Sequence, residues 1–150
     1  MSSKITNAET CQVDFYVLGE SSPGAENYSC ELALMALERN QKIFIIAPTE
    51  SAGKKLDELM WQYPQGRFLP HARAEDPDAV KAPVQIGTVA SLNSTDVVIN
   101  LCDEAVPQPE RFSRILEFVP FANSERQASR AKYKTYRDLG LDPRMQEIKK

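Results

Sequence analysis

Gln12-Val13-Asp14-Phe15-Tyr16-Val17-Leu18 and, further along, Lys42-Ile43-Phe44-Ile45-Ile46-Ala47 decide the fold. The first stretch is rich in β-branched and aromatic residues, the composition of a strand. The second is a short apolar run bounded by polar residues, as a strand covered on both faces requires. Between them, from Glu26 to Arg39, apolar Tyr28, Leu32, Met35 and Ala36 recur at helical spacing, and Leu34 and Leu37 widen the face. Gly19 to Gly24 makes the intervening turn, with Ser22 and Pro23 as cap and first helical residue. Pro48 ends the second strand. Thr49 then caps a second helix whose first turn holds Glu50 and whose inner face is Leu56, Leu59 and Met60. Strand, helix, strand, helix in that order is the right-handed crossover pattern, so the sheet is at least partly parallel.

Beyond this opening, Pro64-Gln65-Gly66 reads as a turn and Arg67 to Pro70 as a short extended piece. Residues 72–83 are charged and broken by prolines, a surface loop. Val84 to Val89 and Asp96 to Leu101 read as two more strands. Pro107-Gln108-Pro109 introduces a helix through Phe112, Ile115 and Leu116. A last helix starts near Asn123 or Ser124, where Ser124 and Gln127 have capping-box spacing, and runs to about Leu139 with Gly140 as its stop. The sum is one α/β domain over residues 1–150, a mixed but mostly parallel sheet flanked by helices, with flexible ends at about 1–10 and 141–150.

A chain of 150 residues buries roughly two thirds of the surface its unfolded form would expose, enough for one core. No apolar run approaches the roughly 18 residues of a membrane helix, and the N-terminus lacks the apolar stretch of a secretion signal. A cytoplasmic location without membrane attachment is the expectation. Cys11, Cys30 and Cys102 are odd in number and far apart, so reduced thiols are expected rather than disulfides or a zinc site. The net charge of −3 hides an asymmetry. Arg126, Arg130, Lys132, Lys134 and Arg137 face a lone Glu125 between residues 118 and 137. The rest of the chain is therefore distinctly acidic, which suits a small anionic target better than wholesale wrapping of nucleic acid.

Catalytic and cofactor chemistry finds little footing. Ser51-Ala52-Gly53-Lys54-Lys55 follows a strand like a phosphate loop, but the position five before Gly53 is Pro48 and position 55 is Lys where Ser or Thr would hold magnesium. The turn at Gly19–Gly24 lacks GxGxxG and places Glu20 where a pyrophosphate would sit. His71 is the only imidazole, set among apolar neighbours, and suits a structural hydrogen bond. Asp57-Glu58 and Asp103-Glu104 are adjacent in sequence and diverge onto solvated faces. No catalytic residue, cofactor or metal is expected.

Two groups of residues remain. On a helix, Arg126, Arg130, Tyr133 (with Lys134 beside it) and Arg137 form one stripe, and Val119, Pro120 and Tyr133 offer apolar surface next to it. Such a stripe either grips a peptide carrying carboxylates and an apolar anchor, or is a solvated amphipathic helix. A direct single-stranded nucleic-acid binder using the same cations, with Tyr133 or Tyr136 stacking on bases, is the alternative. Trp61, the only Trp, sits at a helix end; a core position is the commoner reading and a partner-binding anchor beside Phe68 the other.

The chain resembles the chi subunit of bacterial DNA polymerase III from Phe15-Tyr16-Val17-Leu18 to Gly140. The resemblance is carried by Lys55-Leu56-Asp57-Glu58-Leu59-Met60-Trp61, Phe68-Leu69-Pro70-His71, Ala82-Pro83-Val84, Phe118-Val119-Pro120-Phe121 and Arg130-Ala131-Lys132-Tyr133-Lys134-Thr135-Tyr136-Arg137. It implies a Rossmann-like domain without nucleotide or catalysis that bridges two partners. One is the psi subunit of the clamp loader, met through Trp61 and Phe68. The other is the acidic, Phe-ended C-terminal tail of single-stranded DNA-binding protein, met through Val119, Arg126, Arg130, Tyr133 and Lys134, so that DNA is reached only indirectly. The C-terminal Met145-Gln146-Glu147-Ile148-Lys149-Lys150 follows no part of the resemblance.

Overall fold

The structure, a computed structural model, describes residues 11–20, 24–62, 69–77, 79–93 and 95–147. Among the described residues seven strands form one sheet: β1 (Gln12–Val17), β2 (Ile43–Ile46), β3 (His71–Arg73), β4 (Val84–Gly87), β5 (Val97–Asn100), β6 (Arg114–Val119) and β7 (Arg144–Glu147). Their order is β3-β4-β2-β5-β6-β1-β7, and every pairing among them is parallel. Three α-helices among the described residues cover the sheet: α1 (Ala25–Glu38), α2 (Glu50–Met60) and α3 (Gln127–Asp138).

β2 shows why the sheet needs both layers. Its four residues are all buried, and they alternate between two cores: Ile43 and Ile45 pack under α1 and α2, Phe44 and Ile46 on the side of α3. That alternation is the two-residue period of a strand, and burial on both sides is why the run has no polar face. β1 divides the same way, Tyr16 facing α1 and Val13 and Phe15 facing α3. Asp14, fully buried on the α1 side, is held by Arg114 of β6 (Nη2 to Oδ2 2.8 Å) and by the Gln12 amide.

The opening crossover stands, but α1 begins at Ala25 with Gly24 as its N-cap and no side-chain cap, later than the cap at Ser22 and first helical residue at Pro23 that were expected. Thr49 caps α2, its Oγ1 accepting from the Ala52 amide at 3.0 Å. Gly53 lies within α2, not in a phosphate loop, and a Cβ there would make ordinary contacts with Ile86 (3.6 Å) and Ala47 (3.7 Å). Gly53→Ala should therefore raise stability by about 0.5–1 kcal/mol through its helix preference, measurable by denaturant unfolding. Gly87 is different: a Cβ would come within 2.9 Å of the Ala74 Cβ and 3.0 Å of the Phe44 ring, so the glycine leaves the room that these side chains occupy.

Four further expectations change. The helix expected through Phe112, Ile115 and Leu116 is a short 3-10 turn (Pro109–Arg111), after which the chain extends into β6. Residues 115–119 are buried between β1 and β5, and a short apolar run of that kind has no period that separates helix from strand. The loop at 72–83 contains part of β3, an edge strand created by backbone pairing with β4 rather than by apolar residues. Ser124 is not a cap: Asn123–Glu125 is a 3-10 turn, and α3 begins at Gln127 without a side-chain cap. The end expected to be flexible from residue 141 holds buried Leu141 and the strand β7, paired with β1. Gly140 does end the last helix, at φ +90°. Residues 1–10, Ser22, Pro23, Pro64-Gln65-Gly66, Arg67 and Phe68 lie outside the described residues.

Candidate functional site

Along α3, residues three and four apart share a face, so Arg126, Ser129, Arg130 and Tyr133 form one stripe and Lys132 and Tyr136 another. The second stripe points into the protein. Lys132, one of the five cations that make the segment basic in sequence, is buried and bonds Glu117 of β6 at 2.6 Å and the Cys102 carbonyl at 2.8 Å. The Tyr136 hydroxyl donates to Glu117 at 2.6 Å and accepts from the Val106 amide at 2.9 Å. The Asn100 amide donates to the same carboxylate at 2.8 Å. Burial pushes the Glu117 carboxyl above its ordinary range, opposed by these donors and by the Lys132 charge. Tyr136 has no exposed surface, so it cannot stack on a base; the direct nucleic-acid reading loses half of its aromatic platform.

The first stripe borders a cleft of about 340 Å³ lined by Val119, Arg126, Ser129, Arg130, Tyr133 and Met145. Val119 ends β6 and forms its floor. Arg126 sits where the chain turns from β6 into α3, and its guanidinium donates to the carbonyls of Pro120 (2.8 Å) and Phe121 (3.2 Å). Arg130, a turn later, donates to Asn123 Oδ1 at 2.9 Å. Among the described residues neither guanidinium reaches a carboxylate. Tyr133 leans on Phe15 with ring centroids 5.5 Å apart, and Arg137 lies 6.0 Å over its ring. Four of the five residues named for an acidic tail thus come together. Lys134 does not: one residue beyond Tyr133 it is turned aside, exposed and paired with Asp138 at 2.8 Å.

Ser129 and Met145 were not singled out from the sequence. Ser129 had a legible signal, standing three after Arg126 and four before Tyr133. Met145 had none, because its place depends on the pairing of β7.

On the opposite face of the sheet, Trp61 closes α2 and is 64% exposed, so the core reading of this residue is replaced by a surface one. Its ring lies 4.8 Å from that of His71. His71 is itself fixed: Nδ1 is 2.6 Å from the Leu69 carbonyl, and Nε2 is 3.2 Å from both the carbonyl and a carboxylate oxygen of Asp57. Phe68, named with Trp61, lies outside the described residues.

No group of three or more His, Cys, Asp and Glu side chains converges as a metal site among the described residues, and no described helix is long and apolar enough to cross a membrane. The three cysteines are unpaired. Burial pushes the Cys11 thiol to about 11 and Cys30 to about 12, leaving both protonated and unreactive at neutral pH.

A family model described as DNA polymerase III chi subunit matches residues 11–144. DNA polymerase III subunit chi of Pseudomonas aeruginosa is 35% identical over 131 residues, 86% of this chain and 91% of that protein. The subunit of the same name from Escherichia coli is 28% identical over 135 residues, 85% and 92% of the two chains. In three dimensions, T4 UvsW superposes with a TM-score of 0.66 at 7% identity, covering 93% of this chain and 42% of that one, a likeness of fold alone.

Proposed function

The chain belongs to the family of DNA polymerase III chi subunits, and from its replication accessory role we propose a non-catalytic adaptor that grips the acidic C-terminal tail of single-stranded DNA-binding protein and joins it, through the psi subunit, to the clamp loader. One observation carries this reading. Arg126 and Arg130 stand together at the rim of a cleft floored by Val119 and walled by Tyr133, with their charge uncompensated by any described carboxylate. Arg126 is held by backbone carbonyls, so little side-chain entropy is lost when its remaining N–H groups meet an anion. A tail of aspartates with a terminal carboxylate supplies the counter-charge, and its final Phe fits the apolar side. Binding of such a disordered segment is of modest affinity and weakens with salt. Many tails on one coated strand then add avidity. Trp61 and the surface around it are the psi-facing side of the same reading.

The test is a titration of an acidic, Phe-ending peptide by fluorescence anisotropy. Arg130 is exposed, which keeps its contribution at about 1–2 kcal/mol, so Arg130→Ala should weaken binding by about five- to thirtyfold. Equal binding by both proteins removes Arg130 from the site and with it the proposed grip.

A further inference from the structure

An apolar anchor gains affinity only from apolar surface that water can still reach. Val119 does not offer this: it is 2% exposed and already packed beneath α3. Ser129 is buried as well, and Tyr133 keeps one side against Phe15. Among the residues lining the cleft, Met145 alone is both fully apolar and largely open, at 56% exposure.

The sheet register explains how a residue so near the chain end comes to stand there. β7 is the outermost strand, pairing with β1 so that Met145 lies beside Phe15 and Gln146 beside Tyr16. Neighbours in a parallel ladder point to the same face. Phe15 faces α3, and Met145 therefore does too, lining the cleft that Arg126 and Arg130 also line. Gln146, on the other side, faces α1.

We infer that Met145 is the outer apolar wall of the cleft and sets its preference for an aromatic final residue, so that the last strand of the sheet belongs to the peptide site. This rests on the tail-binding reading and adds to it the element that selects the anchor. A methionine suits the task. Its unbranched thioether adapts to the shape of an incoming ring, and sulfur makes favourable contacts with aromatic edges. The two sides of the cleft then read two features of one terminus: the arginines its carboxylates, Met145 its ring.

A cycle of two proteins and two peptides tests this. Wild type and Met145→Ala are titrated with an acidic peptide ending in Phe and with the same peptide ending in Ala. Met145→Ala should weaken the Phe-ending peptide about tenfold and leave the Ala-ending one nearly unchanged. Met145→Leu, which restores apolar bulk on β7, should recover most of the loss, with thermal melts of both variants matching wild type. Unchanged binding of the Phe-ending peptide overturns the inference. So does an equal loss for both peptides, since that assigns Met145 to the strand rather than to the anchor. Arg130→Ala, run alongside, separates the two levels: if it weakens binding while Met145→Ala does not, only the wall is lost. If the Phe-ending peptide fails to bind wild type, the tail reading falls and takes the wall with it.

Discussion

Lys132→Met should destabilise the fold by about 3–5 kcal/mol at neutral pH, the cost of leaving one partner of a buried ion pair without the other. The Glu117 carboxylate has no exposed surface and the Lys132 side chain only 6%. Asn100 and Tyr136 still donate to Glu117 in the variant, but no counter-charge remains. The carboxyl is then driven to take up a proton, further in the direction in which burial already moves it. The sign of the pH dependence follows. A carboxyl whose folded-state pKa stands above its unfolded value, here near 4.5, is favoured in the folded state when protonated. The stability lost in Lys132→Met should therefore return as pH falls toward that value and disappear as pH rises through the folded-state pKa. Urea unfolding across this range measures it. Adding Glu117→Gln to Lys132→Met should bring stability back to within about 1–2 kcal/mol of wild type, because a neutral amide can be satisfied by hydrogen bonds alone. A single variant as stable as wild type at neutral pH would mean that the pair does not anchor α3. The consequence reaches the cleft, since Lys132 and Tyr136 fix which side of α3 faces the sheet and hence turn Arg126 and Arg130 outward.

That role also shows what the sequence could and could not reveal. The run Gln12–Leu18 was legible from its β-branched and aromatic composition, the helix after it from its apolar spacing, and Lys42–Ala47 as a short apolar run closed by Pro48, and Thr49 caps where its type and place imply. β6 was not, because Ile115 and Leu116 suit either a helix or a doubly covered strand until β1 and β5 claim them on both sides. β3 and β7 carry few apolar residues and become strands only by pairing, so Ala72 and Arg73 of β3 read as loop and Arg144–Glu147 as a loose end. The stripe Arg126–Arg130–Tyr133 was visible from spacing alone. Lys132 entered only the charge balance of the segment, and two residues beyond Arg130 it lies on another face of the helix, where Glu117 neutralises it. Met145 was beyond reach of any local pattern.

Trp61→Ala should abolish or weaken psi binding by about 30- to 1,000-fold, the range for truncating an aromatic anchor at an interface centre. The isolated domain should lose less than about 1 kcal/mol, because the side chain is 64% exposed. The base under the indole is rigid: His71 is fixed at both ring nitrogens by Leu69 and Asp57, which holds the exposed ring in one place before a partner arrives. Calorimetric titration of the psi subunit, paired with a thermal melt, reads both quantities. Unfolding of the variant returns Trp61 to the core, and unchanged psi affinity removes it from the interface. The sheet itself supplies the sharper expectation. α2, which presents Trp61, packs on one face through Leu56 and Met60, and α3, which presents Arg126 and Arg130, packs on the other through Tyr136. A ligand on one face leaves the other open, and the two sets of contacts share no residue. Trp61→Ala should then leave acidic-peptide affinity unchanged, Arg130→Ala should leave psi affinity unchanged, and the double variant should show both losses additively. Wild type should hold peptide and psi at the same time, as an adaptor must; competition between them would leave two binding faces but no bridge.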